Sequence, residues 1–300
     1  MTSVSFPHDG AHRGARPAAR RRNVTRLLLL APAILLVTSF VLIPTVMALI
    51  DSFHNDGGWT IENFVTVATA VPYPRILWNT VTIAAGTALL SVALAAPLAA
   101  FLAAHEGFVA RIVLGLVAAT FWVSILVKLF AWQVLLARTG PLNLLLQTAA
   151  VTTPGTSLLY TRGAVLVAMI QVMVPYACML LVAGMKRVDW DLIIAARTLG
   201  ARLPLVFASV YWPQVRYSVV MTTLVIFVTA SGFFVAPALL GGSGEVMVGM
   251  KMQSDLANQY DSGLAATTGT VLMLGLLLLS WIALKASGAS FRRITEEVGS

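Results

Sequence analysis

Apolar residues in this 300-residue chain gather into six long runs: Leu27–Ile50, Ile76–Ala103, Ile112–Ala137, Gly163–Gly184, Tyr217–Leu240 and Leu264–Leu284. Each meets the roughly 20 residues that a helix needs to cross about 30 Å of hydrocarbon. Backbone polar groups find no water partner at that depth, so the runs are expected as helices. Pro32, Pro44, Pro97, Pro175 and Pro237 lie inside the runs or near their ends, where neighbouring helices tolerate them as kinks. Between the fourth and fifth runs lies a polar, helix-like insert, Asp189 to Gly200. Asp189 is placed to cap a helix and Asp191 falls in its first turn, where a carboxylate favours exposed amides and the positive end of the dipole. Leu192, Ala195, Ala196 and Leu199 recur at helical spacing, and Gly200 suits a left-handed stop. The paired alanines leave a shallow face against which a partner can pack. A helix lying flat on the lipid surface is the alternative reading of this segment.

Composition agrees with the pattern. The chain is 58% hydrophobic and 11% charged, with a mean hydropathy of +0.86, outside the range of soluble domains. The spans leave no room for a catalytic domain. A net charge of +8 raises the question of nucleic acid, but the distribution of the charge answers it. With the N-terminus in the cytoplasm, the inner segments hold Arg13, Arg16, Arg20, Arg21, Arg22, Arg26, Arg111, Lys186, Arg187, Arg197, Arg202, Arg216, Lys285, Arg292 and Arg293. The outer loops hold only Arg75, Arg138, Arg162 and Lys251. This is the positive-inside pattern, with both termini cytoplasmic and no nucleic-acid partner. The run after Arg26 is too long for a cleavable signal peptide and is expected as a retained span. The organisation expected is a disordered basic cytoplasmic tail over 1–24, a six-helix transmembrane domain over 25–288 with a cytoplasmic loop over 185–215, and a cytoplasmic tail over 289–300.

Most site chemistry is absent from the sequence. Cys178 is the single cysteine and forms no intrachain disulfide. His8, His12, His54 and His105 are scattered without metal-ligand spacing. No G-x-x-x-x-G-K-[ST] nucleotide loop occurs, so ATP, if it drives the protein, binds another subunit. Lys128 is the only charge inside the six runs, and an intramembrane charge usually faces a bundle interior or a water-filled cavity. It can serve the translocation path or act as a snorkelling structural lysine.

From Ala195-Ala196 a glycine follows at Gly200 and a proline at Pro213, the latter preceded by Val210-Tyr211-Trp212. This resembles the E-A-A-x3-G-x9-I-x-L-P signature of bacterial ABC importer permeases, the binding-protein-dependent inner-membrane components. Ile194 stands where that pattern has glutamate. Asn79-Thr80, the stretch Trp122 to Trp132, Gly140-Pro141-Leu142-Asn143, Pro175-Tyr176, Leu199-Gly200-Ala201 and Phe233 to Gly242 follow in an order similar to the spermidine/putrescine class of these permeases.

The resemblance implies an all-α membrane protein with the type I importer permease fold, six transmembrane helices and a cytoplasmic coupling helix, in a bacterial inner membrane. It implies two cytoplasmic ATPase subunits that bind ATP and Mg, a second and homologous permease, and a periplasmic or lipid-anchored solute-binding protein, with no cofactor on this chain. Asp191, Ile194, Ala195, Ala196, Leu199, Gly200 and Pro213 become the expected ATPase-coupling residues. With Ile194 in the glutamate position, Asp191, three residues earlier, is a candidate substitute carboxylate. Alternatively, Ile194 fills an apolar depression, or the second permease dominates coupling. Trp122, Ser124, Lys128, Tyr176, Phe233 and Phe234 are the candidate path residues. A polyamine path calls for carboxylates and aromatic faces; the spans offer the aromatics and no acid. Another organic cation, an amino-acid-like solute, a phosphonate and iron stay open as substrates. The competing class is a stand-alone secondary transporter or channel, which calls for ionisable groups in the spans and inverted repeats, neither of which is evident. A membrane-embedded enzyme lacks clustered catalytic residues.

Overall fold

The computed structural model describes residues 16–55, 58–149, 157–259 and 261–286. The tails expected over 1–24 and 289–300 lie outside these residues, except that the chain is helical from Arg16. The chain divides into two units, Met1–Ile50 and Asp51–Ser300. The first unit's described part is one long helix, α1 (Arg16–Asp51), which holds both Pro32 and Pro44 in its interior.

The second unit opens with β1 (His54–Asn55) and β2 (Gly58–Trp59), an antiparallel pair with His54 opposite Trp59, then α2 (Glu62–Thr69). Its centre is built by α3 (Tyr73–Ala104), α7 (Arg162–Met185) and α10 (Trp212–Ser231). One buried cluster joins Ala88, Val92, Ala95, Ala99 and Leu102 of α3 to Met173, Ala177, Cys178 and Leu181 of α7 and to Val215 and Ile226 of α10. Lipid tails are as apolar as leucine, so helices associate here through close van der Waals fit and small side chains. The alanine face of α3 supplies that fit. So does Gly184, where a methyl group would run into the Ser218 side chain of α10. Among the described residues, five segments are long and apolar enough to cross a membrane: Tyr73–Ala104, Ile125–Thr148, Arg162–Met185, Leu203–Ser231 and Ser262–Lys285.

Two of the six expected spans are redrawn. The third, Ile112–Ala137, is interrupted: α4 (Phe108–Ala119) runs into a 3-10 turn (Thr120–Trp122), Val123 is extended, and α5 (Ile125–Leu136) starts afresh. After it comes α6 (Pro141–Thr148). The fifth, Tyr217–Leu240, begins and ends too late. Its helix starts with α9 (Leu203–Val206), passes through a π-turn (Phe207–Tyr211) into α10 and stops at Ser231, with Gly232 as cap. The apolar residues beyond it form a short separate helix, α11 (Val235–Leu240), whose Ala236 and Leu240 fill a second core with Ile83, Leu129 and Met169. The last part of the expected cytoplasmic loop over 185–215, from Leu203 on, is therefore helix continuous with the fifth span. α12 (Val248–Ser254), a π-turn (Asp255–Gln259) and α13 (Ser262–Ala286) complete the chain.

The connection from α11 to α12 is fastened to α3 by the two residues Asn79 and Thr80. Asn79 Nδ2 donates to the Gly244 carbonyl at 2.6 Å, and the Thr80 hydroxyl accepts from the Val248 amide at 2.9 Å. Nearby, Lys251 pairs with the fully buried Asp255, to whose other oxygen the Tyr73 hydroxyl donates at 3.5 Å. Burial alone would lower the Lys251 ammonium, but the hydrogen bond and charge of Asp255 hold it above its ordinary value.

Candidate functional site

The polar insert folds as α8 (Trp190–Thr198), and both of its ends are closed by local chemistry. Asp189 Oδ1 accepts from the amides of Asp191 at 3.0 Å and Leu192 at 3.4 Å, satisfying two of the orphan donors of the first turn. Asp191 in the first turn and Arg197 in the last both oppose the helix dipole. At the far end Gly200 adopts φ +82°. Its amide donates to Arg197 O at 3.0 Å, and the Ala201 amide donates to Ala196 O at 3.1 Å. These two bonds make a complete Schellman stop, which needs a left-handed residue at that position.

One side of α8 rests on the protein. Ile193 packs against the main core, Ala196 beside it is half-buried, and the Trp190 ring lies 6.3 Å from that of Tyr211. The other side is open. Asp191, Leu192, Ile194, Ala195 and Leu199 are exposed, Leu199 to 88%. Of the paired alanines, Ala195 thus belongs to the free face and Ala196 to the seated one, which the sequence did not distinguish.

Pro213 lies in the first turn of α10, directly after the π-turn. Proline has no amide to offer the carbonyl four residues back, and a widened turn, closed by the Trp212 amide on Phe207 O, relieves that deficit without breaking the helix. The next residue, Gln214, was not singled out in the sequence. Its Nε2 donates to Val210 O at 3.0 Å, and its Oε1 accepts from the Asp189 amide at 2.9 Å. A glutamine at the start of an apolar run was the available signal.

The break in the third span creates a second feature. Thr120–Val123 open a cavity of about 230 Å³ whose lining includes Phe121, Trp122, Ser124, Lys128, Pro175 and Tyr176. Four of the six candidate path residues, Trp122, Ser124, Lys128 and Tyr176, therefore meet in one place. Phe233 and Phe234 do not join them: Phe233 packs against both cores and Phe234 lies over Gly249. Lys128 Nζ donates to Thr120 O at 2.6 Å, supplying a donor to a carbonyl at the interrupted helix. Phe121 and Tyr176 meet edge to face at 4.6 Å, while Trp122 is 92% exposed. Among the described residues no carboxylate lines the cavity and no cluster of potential metal ligands occurs.

Comparison with known proteins gives the family and the fold. The chain is 25% identical to the spermidine/putrescine transport system permease protein PotB of Haemophilus influenzae over 248 residues, covering 80% of this chain and 86% of that protein. It is 26% identical to PotB of Escherichia coli over 250 residues, covering 80% and 90%. A chain of a solved bacterial alginate ABC transporter, in complex with an alginate pentasaccharide-bound periplasmic protein, shares the fold at a TM-score of 0.74 and 16% identity, covering 93% of this chain and 97% of that one. The family described as the inner membrane component of binding-protein-dependent transport systems matches residues 94–290. The match covers about two thirds of a chain that crosses the membrane more than once, and the chain belongs to this family of inner-membrane permeases.

Proposed function

We propose that the chain is the permease subunit of an ATP-driven ABC importer and forms half of the path for a small organic solute, polyamine being the best-supported class. The carrying observation is α8. It is closed at both ends, seated on one side and mostly apolar on the other, in a chain whose sequence holds no P-loop motif. A surface helix bound for lipid would not need its register fixed by a cap, a Schellman stop and a side-chain bond to the next span. A helix that receives force does. In this reading the face of Asp191, Leu192, Ile194, Ala195 and Leu199 docks in one of two cytoplasmic ATPases that bind ATP and Mg. A homologous second permease completes the path, a solute-binding protein delivers the substrate outside, and both termini are cytoplasmic. ATPase closure tilts the spans from inward-facing to outward-facing, with no covalent chemistry on this chain.

The polyamine reading rests on the PotB relatives, which cover most of the chain. The aromatic rings at the helix break offer faces for ammonium groups, and the counter-charge comes from the other subunits. Purification of the tagged chain from its own cells, with the bound proteins identified, tests the class: an ATPase must accompany it. Ala195→Trp should abolish that association while leaving the chain in the membrane, because Ala195 is exposed and added bulk meets only the partner. Retention of the ATPase by Ala195→Trp would return α8 to the lipid surface.

A further inference from the structure

We propose that Gln214 is the positioning residue that latches the N-terminal end of α8 to α10, so that the two helices move as one lever. The inference rests on the reading of α8 as the ATPase-docking helix and asks where the force goes next.

By chain connectivity, α8 is shared between two spans. Its N-terminal end follows α7 through Lys186–Val188, a tight turn in which the Lys186 amide bonds Val182 O at 3.0 Å and the Val188 amide bonds Met185 O at 3.1 Å. Its C-terminal end leads through Gly200 into α9 and α10, with Gly200 in the left-handed region. A helix attached at one end to each of two spans shears when they separate, and it turns about its glycine when pushed. Gln214 changes this attachment. Its amide group spans two elements, with Nε2 anchored on Val210 O of the π-turn and Oε1 holding the Asp189 amide. Both partners fix the orientation of the amide, since a carbonyl must face its nitrogen and an N–H its oxygen. Asp189 is also the residue whose carboxylate caps α8, so one residue links the cap of the docking helix to the first turn of the fifth span. The Trp190 and Tyr211 rings run beside this latch, and the Tyr211 hydroxyl contacts Met185 Sδ at 3.6 Å. With both ends of α8 tied to the helix Leu203–Ser231, a push on its free face tilts that span directly.

The test uses the assembled importer, purified with its ATPase and reconstituted, and measures solute carried per ATP hydrolysed. Gln214→Met keeps length and flexibility but neither hydrogen bond; Gln214→Glu keeps the acceptor for the Asp189 amide. Gln214→Met should lower transport per ATP roughly three- to tenfold, the range set by losing the one hydrogen bond that crosses to α8, while Gln214→Glu, which keeps that bond but faces the Val210 carbonyl with an oxygen, loses less. Amide hydrogen exchange of the chain should show faster exchange at Asp189 in Gln214→Met only. Full coupling in Gln214→Met, or equal loss in both variants, would overturn the latch. Purification of Ala195→Trp separates the two readings: if it loses the ATPase while Gln214→Met stays fully coupled, the latch alone falls, and if it keeps the ATPase, the docking helix falls with it.

Discussion

Gly200 gives the most quantitative test of the docking helix, because its requirement can be separated into parts. A Cβ built on Gly200 meets nothing within 4 Å, so a substitution there causes no clash and acts only through the backbone. At φ +82° an L-residue pays about 1–2 kcal/mol, more when β-branched, whereas asparagine tolerates the region. The chain's other choice is to leave that conformation and surrender the Schellman bonds of Gly200 and Ala201, at about 1 kcal/mol each. Both routes cost about 2 kcal/mol for valine, so neither offers an escape. The expected order is Gly, then Asn at a few tenths of a kcal/mol, Ala at about 1 and Val at about 2. At 1.4 kcal/mol per decade, valine should weaken binding of the purified ATPase about 30-fold and alanine about fivefold. Membrane level should not change, since the strain is confined to a surface turn. A titration of the ATPase against the permease in detergent measures the series. Asparagine as damaging as valine would refute the argument, because it would show that Gly200 is needed for its size and not for its φ.

Two other tests follow from the same geometry. Lys128→Met should lower thermal stability in detergent by about 1.5–3 kcal/mol, the worth of a hydrogen bond from a charged group, with Lys128→Arg largely preserving it; a stable Lys128→Met with altered solute choice would make the side chain a path residue instead of a strut for Thr120. Asp191→Ala should weaken ATPase binding by a smaller factor than Gly200→Val, and Ile194→Glu should restore it in that background if a carboxylate on this face is what the ATPase reads; no effect of Asp191→Ala removes Asp191 from the interface.

Much of this was legible from the order of residue types. Three of the six apolar runs correspond to α3, α7 and α13, and Asp189, Asp191 and Gly200 marked the start and stop of α8 because capping and left-handed turns leave strong local signals. The errors came where apolarity carries no directional information. Val123-Ser124 interrupts the third span with neither glycine nor proline, and the turn is held by Lys128, which belongs to the next helix. Beyond Ser231 the chain remains as apolar as a span, yet it folds back into the core as α11, since hydropathy does not separate burial in protein from burial in lipid. Pro213 fell inside the loop expected over 185–215, whereas a π-turn carries the helix past it. Gln214 was invisible for a different reason: its meaning lies in a backbone amide 25 positions away.

Asn79 and Thr80 hold the segment from Gly244 to Val248 by its peptide groups, while Met247 and Val248 anchor the same segment by fully buried side chains. The two hydrogen bonds are indifferent to the side chains the held residues carry, whereas the buried pair is not. The exposed Ser243 can therefore change while the segment stays in place, whereas Glu245 accepts from the Gly242 amide at 3.2 Å and is tied to the turn. A change at such a position redraws the surface of this connection and leaves the packing of α3, α7 and α10 as it is.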